Sequence, residues 1–170
     1  HVNPVVSVGK SKLPIQKAPH LTVLCKNEKG YENLCNLLEI AWNEGFHICP
    51  TVSFEQLSEF KEGLIVLSSC HGCEIAKHFM HGYQEAAEET ILKYRDLFGE
   101  DYYVELVRNG SGEQLESAYS DFLLNMGKKH GIKVVATNDV HCCEKEDIQK
   151  MECLLRANLG DMAKSISLPT

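Results

Sequence analysis

Short apolar runs alternating with helically spaced stretches constrain this chain more than any other feature. The runs are 20–25 (His-Leu-Thr-Val-Leu-Cys), 64–67 (Leu-Ile-Val-Leu) and 132–137, and 101–107 alternates apolar and polar as a strand does. Between them, apolar residues recur at three- and four-residue steps, the pattern of a helix with one buried stripe. Strand and helix in alternation call for a largely parallel sheet covered by helices, closed into a barrel or left open. The expected fold class is therefore α/β, with mostly parallel strands and outer helices.

The elements follow from local signals. Residues 1–19 carry Pro4, Pro14 and Pro19 and read as a short strand and a loop. A polar turn over 26–30 precedes a helix over 31–42, with Leu34, Leu37, Leu38, Ala41 and Trp42 on its stripe and Gly45 as its stop. Ser53 with Gln56 three residues on is a capping box opening a helix to Phe60. The run 64–67 does not alternate, as suits a strand buried on both faces. Helices are expected over 74–81, 83–98 and 115–130, the last two closed by Gly99 and Gly131, and a final one over 144–159. Residues 161–170 read as a linker.

Net charge is −7, which argues against a dedicated grip on nucleic acid, since phosphate binding needs a basic face. No apolar run approaches the roughly 20 residues that span a bilayer. The chain opens on His1 with neither initiator Met nor signal peptide, as expected of a piece of a longer chain. Eight cysteines without a secretory signal point to a reducing, cytoplasmic compartment. Cys25, Cys35 and Cys153 fall in apolar patterns and read as buried thiols.

In α/β folds, chemistry gathers where strands end. Three such places hold metal-ligand side chains: His20 at the start of the first long strand, Cys70 after 64–67, and Asp139 with His141 after 132–137. Residues two apart in extended chain point the same way, so Asp139 and His141 can reach one ion, and their nitrogen and oxygen donors suit zinc, manganese or iron. The plainer alternative has Asp139 capping a turn and His141 at the surface. Cys70-His71-Gly72-Cys73 reads as half a zinc site, as a redox pair, or as a small buried thiol, the last fitting Cys73 better than Cys70. His47, His78, His81 and His130 show no partner pattern. The acids Glu85, Glu88, Glu89 and Asp96, with Lys93 and Arg95, read as the solvated face of a helix. No phosphate-binding or nucleophile-elbow glycine motif occurs.

At several places the chain resembles one family. The stretch from His20 to Leu34 is similar to HLTLLAKNExGYxNL, and Glu44-Gly45-Phe46 to the EGF that follows it. The stretch 62–70 is similar to EGLIALSGC, 98–106 to FGDDFYLEL, and 135–141 to VATNDVHY. These strings belong to the PHP-type metal-site domain of bacterial DNA polymerase III alpha subunits, and the ordered matches run from about His20 to about Gly160. The resemblance implies a distorted barrel of seven strands with up to three metals at its mouth. It carries His20, Cys70, Asp139 and His141 over as ligands. It also implies metal-dependent phosphoesterase or 3'-5' exonuclease chemistry, with the rest of the polymerase chain and replisome subunits as partners and DNA met only through the parent protein.

There are departures. The family's H-x-H, T-D-H-G and G-C-E motifs are absent, Arg108-Asn109-Gly110 stands for the common RHG, Cys73 for a usual glycine and Cys142 for a usual tyrosine. The expectation is thus the later part of such a domain over 1–160, with a metal site that is partial or empty and strand edges that invite dimerisation. Two alternatives stand beside it: a stand-alone, histidinol-phosphatase-like phosphoesterase, and a degenerate, purely structural module.

Overall fold

A computed structural model describes residues 5–6, 19–46, 49–107, 114–138, 140, 143–144 and 146–159. Four strands form one sheet in the order β2-β4-β5-β6: β2 (Thr22–Cys25), β4 (Leu64–Leu67), β5 (Tyr102–Val107) and β6 (Lys133–Thr137). β4, β5 and β6 are parallel, while β2 runs antiparallel to β4. The mostly parallel sheet expected from strand–helix alternation is present, and among the described residues it is open, with β2 and β6 at its edges.

A separate parallel pair joins β1 (Val5–Val6) to β3 (Thr51–Val52). β3 was not foreseen, since two residues are too few to show alternation. The helices are α1 (Glu28–Asn43), α2 (Phe54–Glu59), α3 (Glu74–Met80), α4 (Gln84–Phe98), α5 (Gln114–His130) and α6 (Asp147–Leu159).

The start of α1 fixes how β2 meets β4. The expected turn over 26–30 is instead already helix from Glu28, because Asn27 caps it, its Oδ1 accepting from the Gly30 amide at 2.9 Å. Gly30 lies so close to the Gly63 carbonyl that an added Cβ would overlap it, and Gly63 has φ +74, where a side chain is strained. Lys26 donates its amide to Gly63 O at 2.8 Å, and Asn33 Nδ2 donates to Glu62 O at 2.9 Å. The turn before β4 is thereby clamped to the chain after β2. The capping box at α2 is complete: Ser53 Oγ accepts from Gln56 N and Gln56 Oε1 accepts from Ser53 N.

Leu37, Leu57, Leu64, Val66, Ile75, Ile91, Val104 and Leu123 are fully buried. Each such side chain contributes about 1.5–3 kcal/mol of hydrophobic stabilisation. Trp42, expected on the buried stripe of α1, is exposed and stacks on Phe46, because the buried face runs through Asn33, Leu37 and Ala41.

Cys25, Cys35 and Cys153 are exposed, not buried. Cys25 ends an edge strand. Cys35 falls two residues from Asn33 and Leu37, on the opposite side of the helix. Cys153 sits on α6, which makes no extended packing contact with another element among the described residues. The solvated face expected of α4 is also used: Glu88 Oε1 accepts from Lys129 Nζ at 2.6 Å and lies 2.7 Å from His130 Nε2, tying α4 to α5.

Candidate metal centre

The antiparallel register pairs Thr22 with Leu67. Carried two residues further, it brings His20 alongside Ser69 and Cys70, although 50 residues separate His20 from Cys70 in the chain. His20 Nε2 and Cys70 Sγ are 2.8 Å apart. Next to them Thr22 Oγ1 donates to Ser69 Oγ at 3.2 Å. Ser69 has φ +70, the left-handed region that a side chain enters at a cost of about 1–2 kcal/mol. It stands where the similar family string has glycine. After it, Cys73 N donates to Cys70 O at 3.0 Å, closing a turn into α3. A Cβ built on Gly72 would overlap the His20 ring, so this glycine makes the space that the imidazole fills.

The two cysteines of the turn serve different neighbours. Cys73 is buried and caps α3, its sulfur accepting from Ala76 N at 3.3 Å and lying 3.6 Å from the Tyr119 hydroxyl. Burial pushes its thiol up to about 11, which keeps it protonated and unreactive. Cys70 instead approaches His20, and Cys73 is the small buried thiol that the sequence also offered. Burial likewise holds the Tyr119 phenol well above its ordinary range.

Nitrogen and sulfur donors at one point suit zinc or another borderline metal in preference to magnesium. The pair stands closer than the about 3.6 Å that ordinary zinc–nitrogen and zinc–sulfur bond lengths set in a tetrahedron. Ring and thiol must therefore part by under about 1 Å to admit an ion. Two donors are half of a four-coordinate set. Among the described residues no group of three His, Cys, Asp or Glu converges. Asp139 and His141 lie outside the described residues.

One polar residue near this place went unnoticed in the sequence. Glu105 is buried in β5, its Oε1 accepting from Thr137 Oγ1 at 2.7 Å. Its amide donates to Ser68 Oγ at 2.8 Å. The pattern over 101–107 suggested a strand with one polar face. An inner parallel strand is buried on both faces, and an acid inside it is then an exception worth explaining.

With the geometry in hand, comparison with known proteins is informative. A family model described as "PHP domain" matches residues 6–109. The chain belongs to the PHP domain family. The match stops short of Asp139 and His141, but similarity to curated relatives extends over most of the chain. The DNA polymerase III subunit alpha of Deinococcus radiodurans is 36% identical over 146 residues, 84% of this chain and 11% of that protein. The same subunit from Treponema pallidum is 42% identical over 137 residues, 80% of this chain and 12% of its own length. That of Thermus aquaticus is 37% identical over 136 residues, 80% and 11% respectively. This PHP chain thus spans only about an eighth or less of these relatives.

Proposed function

We propose that residues 1–160 are the later part of the PHP domain of a bacterial DNA polymerase III alpha subunit, with 161–170 a linker toward the polymerase region. The intact domain is a seven-stranded distorted barrel with a metal site held by His20, Cys70, Asp139 and His141. The observation that carries this reading is the 2.8 Å approach of His20 Nε2 to Cys70 Sγ, two metal-ligand types brought together from distant strand ends. The space left by Gly72 for the ring supports it. A zinc, manganese or iron ion bound there would lower the pKa of its water and stabilise phosphoryl oxygens, the chemistry of a phosphoesterase or 3'-5' exonuclease. His20 and Cys70 would act as ligands, not as general acids.

The partners on this reading are the rest of the polymerase chain and the replisome subunits, with DNA reached through the parent protein and not through this acidic chain. No helix among the described residues is long and apolar enough to cross a membrane. The compartment proposed is the cytoplasm. The free edges β2 and β6 would pair with the remaining barrel strands, or with a second copy when those are lacking.

A structural module is the second reading, favoured by one observation: His20 and Cys70 already satisfy each other by a hydrogen bond. The stand-alone phosphoesterase reading has less support, since the relatives compared above are polymerase subunits. The test is hydrolysis of a DNA 3' end by the full-length parent protein. Activity that chelator abolishes and Cys70→Ala lowers by at least tenfold supports the metal reading. Unchanged activity in Cys70→Ala removes this site from the chemistry. Residues 1–170 alone should show no polymerase activity and little nuclease activity, and robust chelator-sensitive turnover by them would contradict a partial site.

A further inference from the structure

Glu105 makes connections that a core residue does not need. Its strand lies between β4, which leads to Cys70, and β6, which leads to Asp139. On one side its amide donates to Ser68 Oγ at 2.8 Å, and Ser68 N in turn donates to Tyr103 O at 2.9 Å, so the end of β4 is held to β5 two residues before Cys70. On the other side its carboxyl oxygen Oε1 accepts from Thr137 Oγ1 at 2.7 Å, holding the last residue of β6 two residues before Asp139. The second oxygen, Oε2, is buried without a hydrogen-bond donor. Glu105 also lines a small cavity with Ser69, Cys70, His71 and Ser120 that has room for about one water molecule. A buried carboxyl group with an unpaired oxygen is costly, and an apolar residue would serve packing better.

We propose that Glu105 is a positioning residue for the metal site: through Thr137 it fixes the end of β6, the strand that precedes Asp139 and His141 in the sequence, relative to the end of β4 before Cys70. This rests on the metal reading above. The hydrogen bond from Thr137 is the working part, because among the described residues β6 is an edge strand and no strand beyond it holds Thr137. Groups that orient metal ligands from outside the coordination sphere typically change affinity 10–100-fold when removed.

The test measures zinc affinity of the full-length polypeptide by competition with a chromogenic chelator, with thermal unfolding in excess chelator recorded alongside. Thr137→Val removes the donor at constant shape, and should weaken zinc binding by about 10-fold or more. Glu105→Ala should do the same, and the double variant should be no worse than Glu105→Ala alone, since a single interaction is lost. Glu105→Gln keeps an oxygen that accepts from Thr137, and should restore affinity to within about 3-fold of the parent. In the cobalt-loaded protein, Thr137→Val should perturb the sulfur-to-metal absorption band, a signature that a change in folding stability does not produce.

If the parent binds zinc and Thr137→Val binds equally well, the inference is wrong while the metal reading stands. If Glu105→Gln loses as much as Glu105→Ala, Glu105 is a ligand, and the positioning role is overturned. If the parent itself binds no zinc, the metal reading fails first, and this inference goes with it.

Discussion

β4 and β6 are similar in sequence and opposite in circumstance. Leu64-Ile65-Val66-Leu67 lies between β2 and β5, and three of its four side chains are buried. Among the described residues Lys133-Val134-Val135-Ala136-Thr137 pairs only with β5, and none of its residues is buried. Each holds two apolar β-branched residues, and Val66 is buried where Val134 is exposed, so for these side chains strand position decides burial. The difference reaches the site. Its first half, His20 and Cys70, lies where the edge strand β2 begins and the inner strand β4 ends, and register, turn and glycine packing all fix it. Its second half, Asp139 and His141, follows the edge strand, for which one hydrogen bond, Thr137 to Glu105, substitutes for a neighbouring strand.

Truncation measures the contrast directly. Leu64→Ala should cost about 2–5 kcal/mol in urea unfolding, the range for a buried leucine. Val134→Ala, at a side chain 39% exposed, should cost about 0.5 kcal/mol. Comparable losses at the two positions would show that β6 is covered as fully as β4.

Gly72→Ala separates the site from the fold. The added methyl meets the His20 ring and not backbone, so the fold should lose only about 1 kcal/mol. Zinc affinity should fall about 10-fold or more as the imidazole is displaced. Isothermal titration of the parent and the variant reads the second effect, and thermal melting reads the first. An unaltered affinity would mean the ring does not serve a metal from this position.

Cysteine labelling maps the same contrast without mutation. At pH 8, Cys25, Cys35 and Cys153 are exposed and should react with iodoacetamide within minutes, while Cys73 should label only on unfolding. Its thiol titrates near 11 against an ordinary 9.0, so it favours the folded state below about 9 and withdraws that stabilisation as pH rises through 11. Peptide mass spectrometry that finds Cys73 labelled at the rate of Cys35 would contradict its burial.

The smallest effect belongs to the surface. Hydrogen bonds from Lys129 first, and then from His130, hold the Glu88 carboxyl below its ordinary 4.5. A depressed folded value stabilises above the unfolded one, and the benefit is lost as pH falls through the folded value. The melting temperatures of the parent and Glu88→Gln should therefore differ slightly at pH 7 and converge as pH falls below 4.5 and through the depressed folded value, and a gap that persists in acid would remove the ion pair as its cause.

Much of this was legible in the chain. Ser53 with Gln56 announced its capping box, and Gly99 and Gly131 ended their helices. Of the stripe Tyr83, Ala87, Ile91, Tyr94 and Phe98, the last four are buried as their spacing predicts, while Tyr83 stands at the N-cap of α4 and is exposed. Cys70 and His20 stood out as ligand types at strand ends. What stayed hidden depended on contacts across the fold. The antiparallel sense of β2, which sets His20 beside Cys70, follows from the clamp between Gly30 and Gly63, and nothing local to β2 signals it. Glu105 looked like one polar residue of an alternating strand until its neighbours on both sides were in place. Glu88 and His130 lie 42 residues apart and meet only because α4 and α5 adjoin.

X-ray absorption at the zinc edge of the loaded full-length protein examines the His20–Cys70 pair most directly. One sulfur at about 2.3 Å, with nitrogen or oxygen at about 2.0–2.1 Å, is the shell expected, and Cys70→Ser should remove the sulfur alone. A first shell without sulfur in the parent protein would show that Cys70 binds no metal, and the account of this centre would be wrong.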